Sequence, residues 1–100
     1  MREFKVSEEN TPFEIVYFLK CGPYVKIGKC FSHKWKRRLS TLQTANPKKL
    51  DPIGYCLGGY ALETDYHRAF KQHHVSGEWY HLAPLLPSIM ATARDFSTLK

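Results

Sequence analysis

The chain has 100 residues, 43% of them hydrophobic, and a formal net charge of +6, which allows one domain with a single modest core and no second module. No run approaches the roughly 18 apolar residues of a membrane span, and the opening MREFKVSEENTP lacks the apolar stretch of a secretory signal. The expectation is a soluble, cytoplasmic protein without membrane contact.

Residues 1–12 mix charges and end in Asn-Thr-Pro, the composition of a loosely held arm. Two apolar runs follow, a first strand over 13–20 and a second over 24–29, broken by Cys21-Gly22-Pro23 as a β-hairpin would be. Ser32 is placed to cap a helix running to Ala45, and Asn46-Pro47 stops it, Asn tolerating the left-handed conformation and Pro unable to continue. Residues 50–57 read as a third strand, with Pro52 putting it at an edge. Gly58-Gly59 breaks the chain before a second helix over 61–72, and a short extended segment, EWYHL, follows Gly77. A final helix over 85–96 would carry Ile89, Met90, Ala93 and Phe96 on one side. The order β-β-α-β-α-α predicts an α+β fold, a small three-stranded antiparallel or mixed sheet flanked by helices, because hairpin-connected strands are antiparallel.

Cys21, Cys30 and Cys56 are odd in number and lack Cys-x-x-Cys spacing, which argues against a disulfide framework and a zinc site and for buried reduced thiols. His73 and His74 are adjacent and do not converge easily on one ion, so they read as surface residues. The basic residues are more informative. From Ile15 to Leu50 there is no Asp or Glu, while nine of the fifteen basic residues fall there: Lys20, Lys26, Lys29, Lys34, Lys36, Arg37, Arg38, Lys48 and Lys49. A one-signed block spread over hairpin, helix and loop is the footprint of a phosphate backbone. The expected partner is nucleic acid, touched by Lys29, Lys34, Arg37, Lys48 and Lys49.

Several polar residues sit where apolar ones belong. With an even-length loop at Gly22-Pro23, Leu19 faces Lys26 and Tyr17 faces Gly28, so Tyr17 and Lys26 share a face with open space beside the phenol. The plainer alternative is an amphipathic core Tyr and a Lys that snorkels to solvent. On the first helix, Trp35, Leu39 and Leu42 form the apolar stripe and Arg38 borders it while Arg37 points away. Arg38 is suited to gripping a phosphate, or to laying its stem over Trp35. On the second helix Leu62, Tyr66, Ala69 and Phe70 form the stripe, Glu63 flanks it, and His67 follows at i+4. Glu63 is either an ion-pair partner for Arg38 or Lys26, or a ligand for a hard cation such as Mg²⁺.

These residues together resemble the GIY-YIG nuclease superfamily, particularly its small stand-alone branch common in phages and bacteria. Ile15-Val16-Tyr17 stands where that family has Gly-Ile-Tyr, and Lys26-Ile27-Gly28 where it has Tyr-Ile-Gly or, in the small branch, Lys-Ile-Gly. Arg37-Arg38-Leu39, Leu42-Gln43-Thr44-Ala45-Asn46-Pro47, Glu63 to His67 to Phe70, and Gly77-Glu78-Trp79-Tyr80 follow in the family's order, so the likeness runs from Ile15 to Leu82. The Asn that many members place late in the domain has no clear counterpart.

The resemblance implies a nuclease domain over residues 13–82, with the last helix packed on it, and a phosphodiesterase using one divalent metal, Mg²⁺ or Mn²⁺. Tyr17 would accept a proton from water, helped by Lys26; Arg38, with Arg37 as fallback, would hold the scissile phosphate; Glu63 would hold the metal; and His67 would order Glu63 or move a proton. For His67 the plain alternative is a helix-edge residue bonded to water. DNA is the expected substrate, and with no room for a reading domain, target choice would fall to a homodimer or a separate partner. Two other readings keep the fold and drop the reaction: an inactive nucleic-acid-binding module, or a regulator acting on another protein.

Overall fold

The computed structural model describes residues 12–99, so the expected N-terminal arm lies outside the described residues except for its last position. Strands β1 (Glu14–Cys21) and β2 (Tyr24–Phe31) form the expected hairpin around a two-residue turn, with Gly22 at a φ of 60°. A positive φ at the first turn position matches the twist of tightly connected strands, and only glycine takes it without strain. The register follows: Leu19 faces Lys26 and Tyr17 faces Gly28. Residues 15–19 are all buried, as an unbroken apolar run must be when both sheet faces are covered.

Ser32 does not cap a helix. It is buried in a short 3-10 turn (Ser32–Lys34), where its N–H donates to the Phe13 carbonyl at 2.6 Å and its Oγ accepts the Phe13 N–H at 3.4 Å. Helix α1 (Trp35–Thr44) begins after it. Asn46 is not left-handed, since positive φ among the described residues is confined to glycines. Its Oδ1 instead accepts the Lys48 N–H at 3.1 Å. Gln43 clamps the same loop: Nε2 donates to the carbonyls of Asn46 (3.3 Å) and Lys48 (2.9 Å), and Oε1 accepts the Leu50 N–H (2.8 Å). The clamp delivers the chain into β3 (Asp51–Leu57), which pairs antiparallel with the free side of β1 and takes the edge position that Pro52 suggests.

Helix α2 (Tyr60–Ala69), strands β4 (His74–Ser76) and β5 (Trp79–His81) and helix α3 (Leu82–Thr92) complete the chain order. The protein is a small α+β domain, but the sheet has five antiparallel strands in the order β3-β1-β2-β5-β4 rather than three. The extended EWYHL segment pairs with the outer side of β2, and β4 folds back on it. Strands of three residues are too short to display the alternation that marks a strand in sequence.

Two cores result. On one face α2, with Phe70 just after its end, and α3 bring Leu62, Tyr66, Phe70, Leu85 and Ile89 onto Phe18, Val25 and Ile27; on the other, α1 brings Trp35, Leu39 and Leu42 toward Tyr17, Leu19 and Ile15. Ala69 is exposed and drops out of the α2 stripe. Helix α3 starts at Leu82 rather than 85, because Pro84 falls in the first turn, where a missing N–H costs nothing. Its expected stripe breaks up. Met90 is 68% exposed, and the chain leaves the helix after Thr92, exchanges backbone bonds between Arg94 and Tyr55 at 2.7 and 3.0 Å, and sets Phe96 and Leu99 into the opposite core.

Cys30 and Cys56 are buried and Cys21 half-buried, all as free thiols. Among the described residues no helix is long and apolar enough to cross a membrane.

Gly28 is fixed by Tyr17: a Cβ built there would stand 2.5 Å from the phenol Oη and 2.6 Å from Cζ. Gly28→Ala should therefore lower stability by about 1–3 kcal/mol through overpacking. Combined with Tyr17→Leu, it should cost less than the two single changes summed, as chemical denaturation would measure.

Candidate active site

Strand β5 accompanies β2 only from Tyr24 to Lys26, and the last bond on that side is from the Ile27 N–H to the Glu78 carbonyl at 3.0 Å. From Gly28 to Phe31 no strand lies beside the outer edge of β2 among the described residues. Side chains from both layers reach this open half-edge. From the α1 layer comes Tyr17, its ring against the bare backbone of Gly28. Arg38 joins it, with Nη1 3.5 Å from Tyr17 Oη and 3.4 Å from the Lys29 carbonyl. Arg38 thus holds the position at the phenol that sequence left open between two arginines.

From the other layer α2 supplies Glu63 and His67, and the turn just before β5 supplies Glu78. One donor atom from each of these three lies within 4.8 Å of the others. Glu63 and His67 approach to 3.7 Å, and the second imidazole nitrogen of His67 bonds the Tyr80 hydroxyl. His67 is therefore tied into the site rather than left to water. Glu78 also pairs with Lys26 at 3.4 Å, and the Lys26 Nζ sits 5.5 Å from the centre of the Trp79 ring. Glu78 joins the two halves, since its charge acts on Tyr17 as well as on Glu63.

The electrostatics follow from burial and from this crowding of acids. Glu63, with a side chain only 12% exposed, is held above the usual carboxylate range by burial and then by the neighbouring Glu78, against the pull of His67. Burial, with Glu78 and Glu63, pushes the Tyr80 phenol up and keeps it a hydrogen-bond donor. Tyr17 is also pushed up by burial, and Arg38 is the cation that opposes the shift. Lys26, the expected helper, pairs its ammonium with Glu78. Two carboxylates and an imidazole with donor atoms within 4.8 Å of one another form a donor set into which a hard divalent cation fits, since its charge would relieve the repulsion between the acids.

The structure brings Tyr17, Arg38, Lys26, Glu63 and His67 to one open edge. Lys29, Lys34 and Arg37 line an adjoining groove of about 480 Å³ together with Arg38, and Lys29 pairs with Glu14 at 3.7 Å. Lys48 and Lys49 do not belong there. Lys48 lies in the loop clamped by Gln43, and Lys49 lines a separate groove with Lys36, Ser40 and Gln43, on the opposite flank of α1 from Lys34, Arg38 and Thr41. Sequence reasoning overlooked Glu78 and Tyr80 as members of the site. Their signal was present in Gly77-Glu78-Trp79-Tyr80, a carboxylate placed between a turn glycine and an aromatic pair.

Comparison with family models, curated proteins and solved structures finds no match to this chain.

The raised pKa of Glu63 has a definite sign for stability. The folded state binds this proton more tightly than the unfolded one, so the contribution is complete below the ordinary carboxylate pKa and is lost as pH rises through the folded value. In metal-free buffer Glu63→Gln should raise the Tm near neutral pH, and the gain should vanish by about pH 4, as thermal unfolding across pH would read.

Proposed function

We propose that the protein is a metal-dependent endonuclease of the GIY-YIG type that hydrolyses DNA phosphodiester bonds, its five-stranded domain being a version of that family's fold. The observation carrying this reading is the meeting of a phenol, a guanidinium and a pair of carboxylates at the open edge of β2, beside a groove lined by cations.

Hydrolysis of a phosphodiester needs a water that loses a proton, neutralisation of charge developing on the phosphoryl oxygens, and stabilisation of the departing oxygen. Tyr17, as phenolate, takes the proton from the attacking water; the neighbouring Arg38 favours that ionised form. Arg38 also has donors to spare for the phosphate oxygens, in the fork geometry that suits them. A divalent Mg²⁺ or Mn²⁺ held by Glu63, with Glu78 and His67 beside it, would supply positive charge for the departing oxygen. His67, bonded to Tyr80 through one nitrogen, presents the other to Glu63 and so positions the carboxylate. Lys26 positions Glu78 and adds positive charge at the cleft floor. Lys29, Lys34 and Arg37 hold the flanking backbone.

Plasmid DNA should be nicked or linearised with Mg²⁺ or Mn²⁺, and excess chelator or Glu63→Ala should abolish cleavage. Arg38→Ala and Tyr17→Phe should each lower the rate by roughly 100-fold or more. Salt-sensitive DNA binding with no cleavage under either metal would leave a binding module in place of an enzyme. Because Tyr17 is held above its ordinary pKa, the phenolate is scarce at neutral pH. Cleavage should therefore rise steadily through the alkaline range, approaching tenfold per pH unit, and Tyr17→Phe should remove that slope from any residual activity.

A further inference from the structure

Phe31 closes β2 with its ring in the open: the residue is 47% exposed, at the end of a strand whose Val25 and Ile27 are wholly buried. It lines the same groove as Lys29, Lys34, Arg37, Arg38 and Thr41, and the His33 ring flanks it at 6.1 Å, tilted by 48°. The groove's acid, Glu14, is paired with Lys29. An accessible aromatic face set among cations that hold phosphates is the combination by which proteins hold single-stranded nucleic acid, backbone on the charges and base on the ring.

We propose that this groove takes an unpaired stretch of nucleic acid and that Phe31 is the platform on which one base stacks. The proposal deepens the nuclease reading and rests on it for the position of the scissile phosphate at Arg38. In a duplex both faces of each base are already stacked, so a ring beside the backbone meets a base face only where the base is unpaired or swung out. The groove, about 480 Å³ in volume, is of a size for a small molecule or a nucleotide rather than a duplex. The carbonyl of Lys29 touches Arg38, and Phe31 lies two residues further along the strand, about 6–7 Å. The stacked base therefore belongs to a nucleotide close to the one held by Arg38, and the substrate is DNA with a single-stranded segment next to the cut.

The test reads binding alone, with the full chain in chelator so that nothing is cut. Fluorescence anisotropy compares a short labelled oligothymidylate with a duplex of equal length at fixed salt, for the parent protein, Phe31→Leu and Phe31→Trp. Loss of one base stack should weaken the single strand roughly tenfold in Phe31→Leu, change duplex affinity by less than about twofold, and be restored in Phe31→Trp. Equal loss on both ligands, no loss on either, or no measurable binding of the single strand by the parent would overturn the proposal; the first two would leave Phe31 as a surface for another protein or a purely structural residue. A protein that cuts plasmid but lacks the Phe31 effect keeps the nuclease reading and loses this inference. One with the selective effect but no cleavage keeps the single-strand site and loses the reaction.

Discussion

Strand β2 is paired along its whole length on one side and along only its first half on the other. Everything in the candidate site depends on that asymmetry. A sheet interior separates its two faces, so Tyr17 and Arg38 on one side would never approach Glu63 and His67 on the other. Where β5 stops, the separation ends, and both layers reach around the same backbone edge. An unpaired edge is a liability in most proteins; here Arg38 takes one of its carbonyls, and Gly28 lets the phenol lie across the strand. The missing side chain at Gly28 and the shortness of β5 are two parts of one device.

The second constraint is electrostatic. A chain with a net charge of +6 concentrates two carboxylates at the point where phosphate would react, their donor atoms within 4.8 Å. At an effective dielectric constant of about 20, two unit charges about 5 Å apart repel by roughly 3 kcal/mol. The fold tempers this in several ways at once: Lys26 neutralises Glu78, His67 draws on Glu63, and Glu63 itself favours its proton. Such an arrangement would gain from a bound cation. The surrounding lysines and arginines draw a polyanion toward a spot whose own acids would repel it unless a cation offset them.

Much of this was legible in the chain because the informative residues are misfits. Lys26 in an apolar strand, Arg38 beside a helix stripe and Glu63 beside another all violate the binary pattern, and each turns out to face the open edge. Such violations are where function is expected to override folding preference. The hairpin was readable from Cys21-Gly22-Pro23, but its register hung on the loop length, which the pairing of Cys21 with Tyr24 sets at two residues. What stayed hidden has equally concrete causes. β4 and β5 have three residues each, too few for a period. Phe96 continues the spacing of the α3 stripe but belongs to the other core, because the chain straightens at Ala93 before reaching it. Lys48 and Lys49 share the sign of the basic block but not its location, which only the Gln43 clamp decides.

The segment after α3 acts as a strap. It crosses the outer rim of β3 through the Arg94 and Tyr55 backbone, carrying the chain from the layer of Ile89 to that of Phe96 and Leu99. A protease cutting at Arg94 would thus uncover a sheet margin able to recruit a foreign strand and, in the same event, unseat the aromatic packing beneath Trp35, the residue one turn of helix before Arg38. Wear at the opposite edge of the sheet would in this way be transmitted, through a single layer of rings, to the group proposed to grip phosphate.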